Sequence, residues 1–307
     1  MIGFTASRLF NAFATLVAAV VATFIMIRVA PGDPVLVLLG DLATDEQIAQ
    51  ARIDYGLDRS IVEQLAVYLS KAFTLDLGNS IIQGVPAIEM VAQRLVMTFT
   101  LAAVTFALVL AVSIPLGLLA ALRRGGIFDR LTANGTLVVL GIPDFWLGLV
   151  LILLFARWLN WLPSAGAGSA SAIILPAITL ALPLIAVNVR LMRNEAIGIL
   201  ESNMVKILRA KGVPTRRIIT HHVLRNSILA VLTVGGVQFG HLLGGAVIVE
   251  TVFGWPGLGN LLISSIGYRD YPVVQTTILV MTFLVVAVNF LVDLAYHWID
   301  PRLRRSS

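Results

Sequence analysis

Six stretches of this chain are long and apolar enough to cross a hydrocarbon layer, and they limit what it can fold into more than any other feature. A bilayer core about 30 Å thick takes roughly 20 consecutive apolar residues in a helix. Such stretches run over 9–27, 95–122, 131–156, 173–189, 226–249 and 271–292, the third interrupted by Asp144 alone. Charged residues make up 13% of the chain, against about a quarter in a soluble domain. An all-α integral membrane fold of about six transmembrane helices is expected. Arg8 ahead of the first stretch imitates a secretory signal, but the apolar part of a signal is about 7–15 residues long and ends at a small-residue cleavage site. Here the stretch runs on into Arg28 and Pro31-Gly32-Asp33-Pro34, so a retained helix is expected.

The sequence pI is about 10.0, which in a soluble chain would suggest a nucleic-acid partner. In a membrane protein the distribution of the bases explains it better, because cytoplasmic segments carry the excess of Lys and Arg. With the N-terminus in the cytoplasm, fifteen of the 22 bases lie inside: Arg8, then Arg123, Arg124 and Arg130, then eight from Arg190 to Arg225, then Arg302, Arg304 and Arg305. Arg52, Arg59, Lys71, Arg94, Arg157 and Arg269 lie outside. A multi-pass protein of the inner (cytoplasmic) membrane with both termini in the cytoplasm follows, and no nucleic-acid partner. With no cysteine in the chain, disulfides, thiolate metal sites and a Cys nucleophile are excluded.

Three blocks are expected: an N-terminal transmembrane helix in 1–30, an extracytoplasmic helical loop in 31–94, and a core membrane domain in 95–307. In the loop, Thr44 with Gln47 and Ser60 with Glu63 read as capping boxes that each open a helix. Gly56 closes the first helix, and Val62, Leu65, Leu69 and Phe73 form an apolar stripe on the second. Pro115, Pro176 and Pro183 fall inside apolar stretches, where they kink helices. Gly236, Gly240 and Gly244 repeat at the small-xxx-small spacing that lets helices approach closely; the partner is a helix of this chain or of another subunit.

No phosphate-cradling glycine loop ending in Gly-Lys-Ser/Thr and no His-Glu-x-x-His pair occurs. His221 and His222 are adjacent and so point to different sides of a helix. Neither catalysis nor a metal site is expected. Acids in a membrane span are costly and face a bundle interior, a wet cavity or a basic partner. Asp144 and Glu250, with Gln238, are the candidates for lining a polar path, and Asp293 is expected near the inner surface.

The remaining signal is a basic segment between the fourth and fifth stretches. No acid occurs between Glu201 and Glu250, while Lys206, Arg209, Lys211, Arg216, Arg217 and Arg225 do. Gly212 suits the left-handed residue that ends a helix and Pro214 the first turn of the next. The pattern is helix, sharp corner, helix, a knob turned towards a cytoplasmic partner.

These residues resemble a known family. Arg209-Ala210-Lys211-Gly212 followed by His222-Val223-Leu224-Arg225-Asn226 is similar to the cytoplasmic coupling loop of binding-protein-dependent ABC importer permeases, and more narrowly of the dipeptide/oligopeptide/nickel subunits. Pro31-Gly32-Asp33-Pro34, Tyr55-Gly56-Leu57-Asp58, Ile142-Pro143-Asp144-Phe145-Trp146, the run from Glu250 to Gly259 and Asp300-Pro301-Arg302 extend the likeness over nearly the whole chain. Lys206-Ile207-Leu208 stand where the family motif has Glu-Ala-Ala, and Asn203-Met204 where the peptide subfamily has Asp-Tyr. The resemblance implies a type I importer (MetI-like) bundle and a permease that forms half of a pathway for peptides or similar small solutes. Its coupling loop would span about 198–226, with Lys206, Arg209, Ala210, Lys211, Gly212, Val213, Pro214, Thr215, Arg216 and Arg217 meeting the ATPase. The implied partners are a second permease, two ATP-binding subunits and an extracytoplasmic solute-binding protein. ATP and Mg belong to those ATPases, and this chain would bind no cofactor. A secondary transporter driven by an ion gradient would instead show inverted repeats and paired broken helices; a membrane scaffold or enzyme is disfavoured by the missing catalytic constellation.

Overall fold

The computed structural model describes residues 2–29, 39, 43–54, 56, 58–74 and 76–299. Pro31-Gly32-Asp33-Pro34, Tyr55, Leu57 and Asp300-Pro301-Arg302 lie outside the described residues, as do the side chains of Phe73 and Asp293. In hydrocarbon every backbone N–H and C=O must be paired within the chain, which only helices and closed barrels achieve, and the apolar stretches accordingly form helices. They are α1 (Ile2–Val29), α4 (Ala87–Leu122), α5 (Ile127–Leu140), α6 (Asp144–Leu151, continued by a π-helical Ile152–Trp158), α7 (Ile174–Leu200), α9 (Leu224–Gly245) and α12 (Tyr271–Ile299). Between them lie α2 (Asp45–Asp54), α3 (Ile61–Phe73), α8 (Asn203–Ala210), α10 (Val247–Val252) and α11 (Leu258–Gly267).

Four helices among the described residues are long and apolar enough to span a membrane, and α5 with α6 makes a fifth if the pair is taken as one span. The described apolar part of α1, Phe10–Met26, is shorter. The stretch 131–156 is therefore not the single straight helix that its hydropathy suggests. α5 and α6 meet at 102°, because Gly141 ends the first and Pro143, extended at φ −64°, ψ 137°, precedes the second. Proline has no N–H to continue the ladder and disfavours a helical residue before it. The fifth stretch also ends early: α9 stops at Gly245 and Glu250 belongs to the separate α10. Pro115 and Pro183 lie within α4 and α7, whereas Pro176 is the third residue of α7, just after the 3-10 turn Ala170–Ile173.

α4 and α7 make the most extensive helix pair, flanked by α9 and α12. Gly117 permits their closest approach, since a Cβ there would sit 2.6 Å from the Cβ of Met192 and 2.8 Å from the carbonyl oxygen of Val189. Leu101, Leu175, Leu243, Val249 and Phe253 fill the centre of the resulting core.

The glycine row of α9 is met from within the chain. Cβ atoms at Gly236 and Gly244 would lie 2.6 Å and 2.7 Å from the Cγ2 atoms of Val292 and Val285, and at Gly240 3.2 Å from Asn289 Oδ1. α12 thus lies directly on this face. Gly236→Leu is expected to push the two helices apart and lower stability by about 1–3 kcal/mol, the usual cost of overpacking. A fall in the melting temperature of the detergent-solubilised protein would register this; an unchanged transition would show the contact to be slack.

Outside the core, both capping boxes form as the sequence predicts. Thr44 N–H donates to Gln47 Oε1 (3.0 Å) and Gln47 N–H to Thr44 Oγ1 (3.3 Å); Ser60 N–H donates to Glu63 Oε2 (3.0 Å) and Glu63 N–H to Ser60 Oγ (3.3 Å). Gly56 ends its helix at φ +64°. The apolar stripe of α3 is rotated from expectation: Val62 is 76% exposed, and the covered positions are Leu65, Tyr68 and Leu69. Tyr68 sets this rotation by stacking on Phe24 of α1, ring centroids 5.9 Å apart.

Candidate coupling site

The basic segment folds as a helix, a corner and a second helix. Ser202 caps α8, its hydroxyl accepting from Val205 N–H at 3.4 Å, which satisfies one of the free donors at a helix start. At the other end Gly212 adopts φ +74°. Its N–H donates to Arg209 O (3.0 Å) and Val213 N–H to Leu208 O (3.1 Å), the paired bonds of a helix stop that needs a left-handed residue. Pro214 precedes Thr215–Arg217, and a π-helical Ile218–Val223 leads into α9.

The corner rests on an apolar base. Val205, Ile218 and Val223 are buried against Ala121 of α4 and Ala196 of α7, with Leu208 and Val213 packed beside them. Burying such side chains stabilises by roughly 1.5–3 kcal/mol each, so the knob is fixed to the C-terminal ends of α4 and α7. Outward it presents Lys206, Arg209, Lys211, Arg216 and Arg217, all exposed, and among the described residues none of them forms an ion pair. Ala210 and Thr215 are exposed with them, while Val213 is half-covered.

Two further exposed side chains, Met204 (40%) and Ile207 (55%), complete this outer face. They alternate with the inward Val205 and Leu208, a phase that the helical period could have revealed; the charge pattern drew attention away from it. The loop before α5 braces the same region. Asp129 on α5, almost fully buried, accepts from Arg193 Nε (2.5 Å) and Nη2 (2.8 Å) and from Gly125 N–H (2.9 Å). Arg124 pairs with Glu201, at the threshold of α8. A bidentate guanidinium–carboxylate contact fixes geometry as well as charge, and nothing in the local sequence announces a partner 64 residues away.

Among the described residues no hydrogen bond joins the candidate path residues to one another. Asp144 is exposed at the start of α6, and Gln238 Oε1 accepts from Asn188 Nδ2 of α7 at 2.6 Å, inside the helix bundle. Glu250, the third of these candidates, is fully buried. Its Oε1 accepts from Thr98 Oγ1 (2.7 Å), and its Oε2 from Gly259 N–H (2.7 Å) and Asn260 N–H (3.2 Å). A carboxylate at a helix start pairs free N–H groups and complements the dipole, so Glu250 ties α10, α11 and α4 together. The glycines around it make room: a Cβ at Gly257 would lie 2.2 Å from Glu250 Oε1.

A protein of Brucella abortus (strain 2308) named for a peptide transport system permease is 37% identical over 305 residues, 97% of each chain. The glutathione transport system permease protein GsiC of Pectobacterium atrosepticum is 35% identical over 304 residues, 99% of each. Among solved structures, the inward-facing MetNI methionine ABC transporter superposes with a TM-score of 0.59 at 19% identity, over 70% of this chain and 98% of that one, a likeness of fold. The family described as "Binding-protein-dependent transport system inner membrane component" matches residues 113–305, and its N-terminal companion matches 1–102. By this match and by identity along nearly its whole length, the chain belongs to the binding-protein-dependent transport system inner membrane component family of ABC permeases.

Proposed function

We propose that this permease subunit forms half of the translocation pathway of an importer for peptides or glutathione-like solutes. Its partners in this reading are a second permease, two subunits that bind ATP and Mg, and an extracytoplasmic solute-binding protein. Residues 206–217 seat in an ATPase subunit, and both termini face the cytoplasm. The observation that carries the reading is the unpaired basic face of the knob above an apolar base continuous with α4 and α7. Closure of the ATPases would displace the knob, and the shared base would pass that displacement to the two helices, giving alternating access. The substrate class follows the printed names of the relatives. An ion-gradient transporter would have no use for such a socketed corner.

The chain lacks cysteine, so single introduced thiols test orientation and docking together. Gly168→Cys is expected to react with an impermeant reagent in intact cells, and Thr215→Cys only once the membrane is opened. Thr215→Cys should also become protected when the ATPase subunits are bound. Labelling of Thr215→Cys from outside would overturn the topology, and equal labelling with and without the ATPases would remove the docking.

A further inference from the structure

A cavity of about 190 Å³ with a wall about half polar opens at the ends of two spans; Gln83, Gln93, Arg94, Ser264, Tyr268 and Asp270 supply its polar lining. Arg94 immediately precedes the apolar stretch 95–122 and Asp270 immediately precedes α12, so both walls stand at one membrane surface. The extracytoplasmic side is implied by the topology proposed above.

The cavity wall carries one base and one acid, Arg94 and Asp270, and the two differ in how far their polar atoms are already engaged. Asp270, the one acid on its wall, is 4% exposed. Its Oδ1 accepts from Ile81 N–H at 3.0 Å and its Oδ2 from the Ser80 hydroxyl, which in turn accepts from Gln83 N–H at 2.9 Å. That carboxylate is committed to holding the 80–83 turn. Arg94 is exposed, gives one long bond of 3.4 Å from Nη1 to Pro256 O, and has no ion pair among the described residues. A guanidinium carries five N–H donors in a planar fork matched to an oxyanion. Gln83, Gln93 and Tyr268 add donors around it. The volume is below the roughly 300–1,000 Å³ of a complete small-molecule pocket, which suits one end of a ligand.

We propose that this cavity is a carboxylate subsite at the outer mouth, where Arg94 holds the terminal carboxylate of the arriving solute. The inference rests on the importer reading and adds a recognition element on this chain itself. The probes are alanyl-4-benzoylphenylalanine as free acid and as amide, photolysed with the assembled transporter in phosphatidylcholine nanodiscs and mapped by mass spectrometry. The acid is expected to label segments 82–94 and 261–270. A hydrogen bond to a charged group contributes about 1.5–3 kcal/mol, so the amide, and the acid on Arg94→Gln, should label at least about tenfold less. Arg94→Lys, which keeps the charge without the fork, should recover part of the signal. Equal labelling by acid and amide, or unchanged labelling of Arg94→Gln, would overturn the subsite. Loss of acid labelling in phosphatidylglycerol discs would assign the oxyanion to a lipid phosphate and also overturn it. Uptake measured in parallel separates the two readings: charge-dependent labelling without ATP-driven uptake keeps the subsite and removes the importer, and the converse keeps the importer alone.

Discussion

Gly212→Val is expected to leave the protein in the membrane at wild-type amounts while removing most of its ATP-driven uptake. The spans are untouched by the change, so insertion has no reason to fail. The corner is another matter. Gly212 sits at φ +74°, a conformation that costs an L-residue roughly 1–2 kcal/mol and a β-branched one more. A Cβ there meets nothing within 4 Å, so the strain is in the backbone alone. Relieving it means giving up the bonds from Gly212 N–H to Arg209 O and from Val213 N–H to Leu208 O, and with them the aim of the basic face. Uptake should fall by about tenfold or more, together with the stimulation of ATP hydrolysis by loaded binding protein. Asn tolerates the left-handed region better than other side chains, so Gly212→Asn should retain most activity. Wild-type transport in Gly212→Val at equal protein levels would reduce the segment to a topology signal.

Glu250→Ala is expected to be the most destabilising substitution around the start of α4. It leaves two backbone N–H groups and the Thr98 hydroxyl without the acceptor they share, in a site closed to water. Removing one partner from such a buried charged cluster costs about 3–5 kcal/mol. Glu250→Gln keeps one oxygen but turns an NH₂ towards groups that already donate, so an intermediate loss is expected. Gly257→Ala should match it by a different route, because its methyl group would overlap the carboxylate. Melting of the purified protein, or the lifetime of its folded form in detergent, measures all three. If Glu250→Ala melted with the wild type, the niche would be incidental and the carboxylate free for another role.

What could be read from the sequence was local. The capping boxes at Thr44 and Ser60 and the corner at Gly212 depend on residues within six positions of one another, and the structure keeps all three. The helical membrane class followed from apolar length, which hydrocarbon enforces. What was missed depends on distance or direction. Hydropathy sums over residues and is blind to a bend, so 131–156 read as one span although Gly141 and Pro143 divide it. The niche of Glu250 was hidden because its partner Thr98 is 152 positions earlier. The rotation of α3 was decided by Phe24, on another helix. Within the candidate site, the bases and the corner were legible, whereas Met204 and Ile207 required the helix phase and Asp129–Arg193 required the fold.

The Thr98–Glu250 tie also sets a clock on synthesis. A ribosome adding roughly 5–20 residues per second needs about 8–30 s to travel from Thr98 to Glu250, and longer to reach Asp270, the anchor for Ser80. Throughout that interval the N-terminal end of α4 stands as an unfilled socket, with a hydroxyl and a turn awaiting partners not yet made. Nascent chains stalled before residue 250 should therefore be handled by the cell as incomplete, open to membrane proteases at the 76–98 segment, and chains released beyond 270 should become resistant there in a single step.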